Sequence, residues 1–423
     1  MIYFRLFQEH IKCRILLFAF IPLLLLAACE DNSHPEAENL PTDEEIARAL
    51  QTQFAAAEEV HADNLQIAVE NGIVRLKGST TNLLAKQRAS QIAEATAGVI
   101  SVINTLKITA DRPDEAIHED VAEALSTNPA TEGWEINSEV NNGVVTLKGA
   151  VDSWQEKQLA TAIASRVKGV KGVDNIILVA NDEDRKDPDI KAEIESILEF
   201  DARIGDERID VEVANGIVML GGSVGSAAEK RMAIEAAHIA GVEKVVADNL
   251  KVDPELNSQL YGNKMISSLT PEQIEKAIIR AFIYDPRVPA EEINVAIEEG
   301  VAVLSGSVKN LNAKMAAEAD TRKTVGVNSI VNDITVKREV VVKPEVPTTD
   351  EAIKSRIKNA IHRDPYVEEA VITVHVKEGT VELIGTVNSR FEKEHIEEIV
   401  TRIKGIVSID NQLKVKDEGN ATS

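Results

Sequence analysis

A short motif bounded by two glycines returns five times and constrains the fold of this chain more than any other feature. Each copy places a five-residue segment between the glycines, as in Gly72–Gly78 (GIVRLKG) and Gly379–Gly385 (GTVELIG). The copies begin 71 to 84 residues apart, which is longer than the repeat of a thin solenoid. The spacing therefore predicts five small domains in tandem. The ten repeat glycines are Gly72, Gly78, Gly143, Gly149, Gly216, Gly222, Gly300, Gly306, Gly379 and Gly385.

The residues around the motif predict the same order of elements in every copy. Apolar residues at three- and four-residue spacing, such as Ile353, Ile357 and Ile361, predict an amphipathic helix ahead of the motif. Alternating residues then predict two strands joined by a tight turn, because Asn-Gly is a strong hairpin signal. An alanine-rich helix and a last strand follow. The predicted fold class is α+β, with tandem small α-β-β-α-β sandwich domains preceded by a lipoprotein signal peptide.

The second glycine of each motif has a predicted steric role. Gly78 and Gly385, like their counterparts, lie on the same face of the strand as its apolar residues. A residue without a side chain allows another element to approach closely, and the helix that follows is rich in alanine. We therefore expect this glycine to let the second helix lie close to the sheet.

These patterns divide the chain into domains, which we number as units 1 to 5. Domains of this size are marginally stable alone, so we expect neighbouring units to pack together. The short link predicts that units 1 and 2 lie close together, whereas the last two linkers favour hinging. The predicted division is a signal peptide at 1–28, a lipidated cysteine and flexible tether at 29–41, units at 42–110, 113–180, 186–253, 269–337 and 349–416, linkers at 254–268 and 338–348, and a tail at 417–423.

The first 28 residues predict export. A basic region precedes 14 apolar residues, a length typical of a secretory signal and short for a membrane span. The run ends in Leu26-Ala27-Ala28-Cys29, which resembles the lipobox of bacterial lipoproteins. The resemblance implies that Cys29 becomes the first residue and carries the lipid, while Cys13 is removed. The alternative is an uncleaved anchor with an incidental cysteine.

The composition of the chain disfavours nucleic acid as a binding partner. Its 46 Lys+Arg and 70 Asp+Glu give a net charge of −24, and removal of residues 1–28 would change this to −26. Phosphate backbones repel so acidic a chain, so nucleic acid is not an expected partner. Aromatic residues make up only 3% of the chain, which also disfavours binding of single-stranded nucleic acid by stacking.

No catalytic or metal-binding constellation recurs in the repeats. The sequence Gly221–Gly225 (GGSVG) formally matches a nucleophile elbow, but Ala150 and Thr386 stand where Ser223 stands in other units. The histidines do not recur at equivalent positions, and His375 should face solvent because it alternates with apolar neighbours. We therefore expect no catalytic residues, no metal and no cofactor.

Together, the lipobox, the α-β-β-α-β order and the two-glycine motif resemble the BON domain family. The resemblance covers nearly all of residues 42–416. It implies a non-enzymatic periplasmic or outer-membrane lipoprotein, associated with phospholipid binding, envelope integrity and osmotic stress. Many members carry two copies, so five copies depart from the common pattern. In enterobacterial lipoproteins an Asp directly after the lipidated Cys signals inner-membrane retention, whereas here Glu30 follows Cys29 and Asp31 comes next, which leaves sorting to either membrane open. The resemblance to BON lipoproteins favours the outer membrane over the inner one.

Two functions fit this resemblance and these charges. The first is envelope maintenance, with the chain held on a membrane by Cys29 and touching phospholipid headgroups. Unit 5 has 12 acidic and 11 basic residues, whereas unit 3 has 14 and 8. Because an anionic membrane repels unit 5 least, Arg390, Phe391 and Lys393 are a predicted lipid contact.

The second function is an interaction scaffold that binds envelope proteins or peptidoglycan. The high negative charge favours this function over adhesion to bulk lipid. Trp134 and Trp154 occur only in unit 2, where they fit either a membrane or partner contact or partial burial beside the sheet.

Overall fold

Copies of one small fold make up the described part of the chain. The computed structural model describes residues 40–60, 65–109, 111–131, 135–179, 185–256, 269–337, 349–367 and 372–416. The predicted signal peptide, Cys29, Trp134 and the linker residues 257–268 and 338–348 lie outside these ranges. Residues Leu40–Ser423 form one compact unit by their internal contacts.

Each unit runs helix, strand, strand, helix, strand, which confirms the predicted order and the α+β class. The opening helices are Asp43–Ala56, Asp114–Thr127, Asp187–Phe200, Pro271–Tyr284 and Asp350–Arg363. The second helices are Leu83–Ala95, Trp154–Ser165, Ala227–Ala236, Leu311–Arg322 and Arg390–Thr401. The first and second strands are Gln66–Glu70 and Ile73–Lys77, Ile136–Asn141 and Val144–Val151, Ile209–Ala214 and Ile217–Val224, Ile293–Glu298 and Val301–Val308, and Ile372–Lys377 and Thr380–Val387. The third strands are Ser101–Asn104, Gly172–Asn175, Lys244–Val252, Ser329–Val336 and Ser408–Val415, with short extra strands at Ser79–Thr80, Lys107–Ile108 and Leu178–Val179.

The opening helices begin where the sequence supplies a cap. Thr42 and Thr270 each accept a hydrogen bond from the backbone N–H three residues later. The side chains of Glu45 and Gln273 in turn accept one from the cap backbone at 2.8 Å. This capping box satisfies N–H groups that a helix start leaves without partners. The apolar face, for example Leu50, is buried.

The second strand is central in each sheet. The first strand pairs with it in antiparallel register and the third in parallel register. A parallel neighbour requires a crossover, which the second helix supplies. In the second strand of unit 1, Val74 and Leu76 are buried while Arg75 and Lys77 are exposed. Each unit therefore has its own core, which is mainly aliphatic.

The predicted hairpin turns are confirmed by their backbone angles. Asn71 and Gly72 have φ of 51° and 71°, and positive φ at both central residues defines the hairpin turn that Asn-Gly favours. Glu299 and Glu378 take φ of 51° at the same position, although this region is disfavoured for residues other than glycine, Asn and Asp. The repeat thus imposes the turn even where its preferred residue is missing.

We predicted that the second glycine of each motif lets the second helix lie close to the sheet, and this prediction named the wrong neighbour. Gly149 and Gly222 have φ of +143° and +92°. A Cβ there would lie 2.3 Å from the carbonyl oxygen of Glu135 and 2.0 Å from that of Arg208, respectively. The close neighbour is therefore the backbone at the start of the first strand, not the second helix. The sequence pattern showed the face of the glycine but not its φ.

The units pack mainly through their helices, in an order that differs from the chain order. Unit 3 joins unit 4 where Ala202 N–H donates to the Lys323 carbonyl at 2.9 Å. Unit 2 joins unit 5 where Lys168 N–H donates to the Arg363 carbonyl at 2.7 Å. Units 1 and 2 are close, as predicted, since Leu83 lies in the core cluster of unit 2. Hinging at the last two linkers stays a prediction.

Candidate functional site

The predicted lipid contact starts the second helix of unit 5. Arg390 is exposed and forms an ion pair with Glu394 at 2.7 Å. Phe391 is half-buried and stacks on the ring of His395, with centroids 5.4 Å apart. Lys393 is also half-buried. Only Arg390 is fully open to solvent, and the role of these three residues in lipid binding stays a prediction.

Behind this helix start lies a buried charged pair. The Nε2 of His395 is 2.9 Å from Oδ1 of Asp364, and both side chains are less than a tenth exposed. Burial disfavours the charged imidazole, but hydrogen bonds to Asp364 and Glu398 outweigh it and raise the pKa of His395 to about 9. The hydrogen bond from His395 lowers the pKa of Glu398 to about 2. Unit 5 thus carries a protonated histidine between two carboxylates at neutral pH.

Three guanidinium groups from three units lie near this pair. Arg402 of unit 5 pairs with Glu398, and Arg287 of unit 4 pairs with Asp285. Arg166 of unit 2 has no side-chain hydrogen bond or ion pair with any described residue. Burial, followed by the charge of Arg402, lowers the pKa of Arg166 to about 10. The charges of Glu398 and Asp364 act in the opposite direction on Arg166, so these carboxylates compensate part of its charge although neither accepts a hydrogen bond from it.

Unit 4 adds a pair of neighbouring carboxyl groups to the junction. Asp285 receives hydrogen bonds from Nε of Arg287 at 2.9 and 3.0 Å. Asp320 is 9% exposed, and Oδ1 of Asp320 lies 3.1 Å from Nζ of Lys323. Burial and the charge of Asp285 raise the pKa of Asp320 to about 7. Burial and the neighbouring carboxylate therefore favour the protonated form of Asp320.

A chamber of about 1380 Å³ opens between units 1, 2, 3 and 4. Its wall includes Leu159 and Ala162 of unit 2, Phe200 of unit 3 and Ala281 of unit 4, with Arg166 among the charged lining residues. The volume exceeds that of ordinary small-molecule pockets, which is about 300–1,000 Å³. The helices of four units thus line an open space with apolar walls and charged groups.

Trp154 lies in the wall of the chamber and joins two units. Its ring stacks on His238 of unit 3, with centroids 4.3 Å apart and planes 11° apart. Nζ of Lys157 lies 5.2 Å from the Trp154 ring centroid. Trp154 therefore contacts a neighbouring unit of the same chain.

Sequence analysis missed the contacts of two positions that recur in the repeat, although the recurrence of the second, an Asn or Asp in the last strand, is visible in the sequence. Asp114, the first residue of its helix, accepts hydrogen bonds from the N–H groups of Asn142 and Gly143 at 2.8 Å each. Asp43, Asp187 and Asp350 hold their hairpin turns in the same way. The signal was an Asp 28 residues before the turn in four of the five copies.

The second missed position is the Asn of the third strand. Asn175 donates to the Lys157 carbonyl and the Thr161 hydroxyl, each at 2.7 Å, and accepts from the Ile177 N–H at 3.0 Å. It therefore fixes the second helix to the sheet. The equivalents Asn104, Asn332 and Asn411 do the same.

The remaining candidate residues form no catalytic or metal-binding arrangement within the described ranges. Ser223 lies inside the second strand of unit 3 rather than at a strand-to-helix turn, so its surroundings differ from a nucleophile elbow. His375 is exposed, as predicted. Among the described residues, no group of three or more His, Cys, Asp or Glu side chains is arranged to hold a metal ion. No helix in the described ranges has the length and apolar character required to cross a membrane.

The repeats can now be compared with known families. The BON domain matches residues 42–110, 113–181, 186–254, 270–338 and 349–417, which is more than half of the chain. The chain belongs to the BON domain family. All five structural units lie within these matches, so the resemblance seen in the sequence is confirmed.

Two relatives share part of this arrangement. Osmotically-inducible protein Y of Escherichia coli (strain K12) is 26% identical over 166 residues, which cover 39% of this chain and 80% of that protein. An uncharacterized protein in the gshII 5′ region of Anaplasma centrale is 27% identical over 124 residues, covering 29% of this chain and 82% of that protein. The chain is therefore a BON protein related to an osmotically inducible one.

Two solved structures of CdsD, described as a structural protein of the type III secretion system of Chlamydia trachomatis, also match. The C-terminal domain is 18% identical and covers 50% of this chain and 100% of its own, with a TM-score of 0.14. The other is 19% identical and covers 51% and 97%, with the same TM-score. Similarity at this level gives no guide to function.

Proposed function

We propose that this BON protein is a non-enzymatic envelope lipoprotein that binds phospholipid surfaces and protects envelope integrity under osmotic stress. The match of all five units to the BON domain carries the proposal. The relationship to an osmotically inducible protein supports the stress role. An acyl-carrying Cys29 would hold the chain in the periplasm, on the outer membrane rather than the inner one.

Membrane contact would occur through unit 5. Its charges nearly balance, whereas unit 3 has a clear acidic excess, so an anionic surface would repel unit 5 least. Arg390 is exposed there, and the tether at 29–41 would let this unit reach the surface. Phe391 would add an apolar contact once the helix start meets the lipid.

Vesicle flotation tests the lipid contact. The chain from Glu30 to Ser423 contains the whole compact unit and carries no cysteine, so any binding is independent of acylation. We expect flotation with phosphatidylglycerol vesicles at low salt, and several-fold weaker flotation for Arg390→Glu. Arg75→Glu, an exposed arginine on the unit 1 sheet, is the matched control. Absence of flotation at low salt would remove direct lipid binding from the proposal.

The anchor needs a separate test in cells. Cys29→Ser should abolish labelling by a fatty-acid analogue, whereas Cys13→Ser should leave it intact. Fractionation of the labelled chain should place it in the outer membrane. Labelling that survives Cys29→Ser would contradict the proposed attachment site.

A second candidate function is a periplasmic interaction scaffold for envelope proteins or peptidoglycan. The net charge of −24 favours it, because a strongly acidic chain is repelled by anionic lipid. Crosslinking in cells with the anchor intact would recover a specific protein or peptidoglycan under this function. If recovery depends on Cys29 and yields only lipid, the scaffold function fails.

A further inference from the structure

We propose that the chamber between units 1 to 4 binds one anionic lipid molecule, with its charged headgroup at Arg166 and its acyl chain along the apolar wall. This inference rests on the proposed lipid-binding function and assigns it an internal site. It differs from a membrane contact, because the ligand would be a single molecule held between four units.

The charge at one end of the chamber favours an anion. The neighbouring guanidinium groups of Arg287 and Arg402 pair with Asp285 and Glu398, whereas Arg166 has no such partner among the described residues. The charges of Glu398 and Asp364 act on Arg166 against the effect of its burial, but the guanidinium group donates no hydrogen bond to a described residue. A phosphate or carboxylate placed beside Arg166 would supply these hydrogen bonds.

Two of the carboxylates in the chamber wall lie beside cations. Glu94 pairs with Arg231 at 2.7 Å, and Asp320 lies 3.1 Å from Lys323. Because these two acids have cations of their own, neither accepts a hydrogen bond from Arg166. The hydrogen-bond donors of Arg166 therefore stay available to a ligand.

One helix face provides a track for an acyl chain. The second helix of unit 2 turns Trp154, Leu159, Ala162 and, just past its end, Arg166 toward the chamber. Leu159, Ala162 and Arg166 follow at three- and four-residue spacing, so they share one face, and Gln155 and Gln158 also line the chamber from this helix. Trp154 and Arg166 are twelve positions apart, which is about 18 Å along a helix. The helix thus places a mixed surface, with aromatic, aliphatic and amide groups, next to a cation.

The opposite wall completes the apolar surface. Ile197 and Phe200 come from the opening helix of unit 3, and Ala277 and Ala281 from that of unit 4. Small residues on these helices leave room between them. A volume of about 1380 Å³ is more than an inorganic anion needs, so the chamber favours a headgroup that carries a chain.

The test uses Trp154 as a reporter inside the site. The chain contains two tryptophans, so Trp134→Phe in the Glu30–Ser423 chain leaves Trp154 alone. Lysophosphatidylglycerol, added as monomers below its micelle concentration, should change Trp154 emission saturably. Inorganic phosphate and lysophosphatidylcholine should bind at least tenfold more weakly, because the first lacks the chain and the second lacks net negative charge.

Variants separate the headgroup from the chain. Arg166→Gln should weaken binding of lysophosphatidylglycerol by about tenfold or more, the effect of losing a charged hydrogen bond, and Arg166→Lys should restore part of it. Ala162→Phe should block the chain and abolish binding. Arg75→Gln lies on an exposed strand and should have no effect. Circular dichroism confirms that each variant is folded.

Two results would overturn the inference. One is the absence of a saturable change with lysophosphatidylglycerol, and the other is equal affinity for the wild-type chain and Arg166→Gln. Flotation with intact vesicles distinguishes this failure from failure of the proposed function. If Arg166→Gln and the wild-type chain both float and neither binds the monomeric lipid, membrane binding stands and the chamber site falls.

Discussion

At the residue scale, the backbone conformation at a few glycine positions decides whether each unit can adopt its fold. The second motif glycine takes a positive φ in all five units. In unit 3 two adjacent glycines differ sharply in what surrounds them. A Cβ on Gly222 would meet a carbonyl oxygen at 2.0 Å, whereas the nearest atom to a Cβ on Gly221 lies at 3.8 Å. Of these two glycines, only Gly222 is required by the surrounding backbone.

This contrast predicts opposite effects of one substitution at neighbouring positions. Gly222→Ala should lower the free energy of unfolding by about 2 kcal/mol or more, because it combines strain at positive φ with a backbone collision. Gly221→Ala should change it by less than about 1 kcal/mol in either direction. Urea denaturation followed by circular dichroism measures both. Equal losses at the two positions would contradict the backbone explanation.

The buried histidine gives a pH-dependent stability. The pKa of His395 is raised from its ordinary value to about 9 by Asp364 and Glu398 against the effect of burial. The folded state therefore binds this proton more tightly than the unfolded state. The stabilisation is complete below about pH 6.5 and is lost as the pH rises to about 9.

We expect the free energy of unfolding to fall by about 1–3 kcal/mol between pH 6.5 and 9 through His395. His395→Gln should flatten this part of the pH profile. His375→Gln, which replaces an exposed histidine of the same unit, should leave the profile unchanged. Denaturant titrations at several pH values provide the measurement. An identical slope in the wild-type chain and His395→Gln would contradict the prediction.

At the element scale, the order of helices and strands could be predicted because it depends on local patterns. Helical spacing, alternation and Asn-Gly turns each act within a few residues. The contacts that fix one element to another could not be predicted in this way. Asp114 and the turn it holds are 28 residues apart, and Asn175 is 18 residues from the helix carbonyl it contacts. These side chains look like ordinary polar residues until the fold brings them together.

Unit 3 lacks this contact and also differs from the other units in the helix and strand around it. Asp248 stands where the other units have Asn, and a carboxylate cannot donate to a helix carbonyl. The second helix of this unit has 10 residues rather than 12 or 13. The parallel pairing shifts register between Met219 and Gly221 and resumes at Gly221. A bulge of this kind absorbs one extra residue and keeps the end of the strand in place.

The difference between units provides a matched pair of substitutions. Asn175→Ala removes three hydrogen bonds and leaves the Ile177 N–H without its partner, so it should cost about 1–3 kcal/mol. Asp248→Ala changes the equivalent, exposed position of unit 3 and should cost less than about 0.5 kcal/mol. Thermal and urea unfolding of the two variants test the comparison. If both substitutions cost the same, the amide does not fix the helix.

At the scale of the whole molecule, five units that would be marginal alone form one compact body. Sequence analysis predicted that neighbouring units pack, as unit 3 does with units 2 and 4, but not that unit 3 contacts unit 1 or that unit 2 contacts unit 5. These contacts depend on pairs far apart in the chain, such as Trp154 with His238 and Arg231 with Glu94. Neither residue of such a pair belongs to the repeated motif. The interfaces between units are therefore determined by positions at which the sequences of the units differ.

The pair between units 1 and 3 allows this organisation to be tested by charge reversal. Arg231 lies 2.7 Å from Glu94, with side-chain exposures of 35% and 19%, so the ion pair is partly shielded from water. Arg231→Glu would place two carboxylates at the interface and should destabilise it by about 1 kcal/mol. The double variant with Glu94→Arg should recover the part of this loss that belongs to the interface, because it restores an opposite-charge pair in the reverse order, whereas the pair of Arg231 with Glu235 in the same helix stays lost. Reversal of the exposed Lys148–Glu139 pair within unit 2 is the control and should have little effect. X-ray scattering should show a larger radius of gyration for the single variant only. If the double variant is no better than the single one, the two residues do not hold units 1 and 3 together.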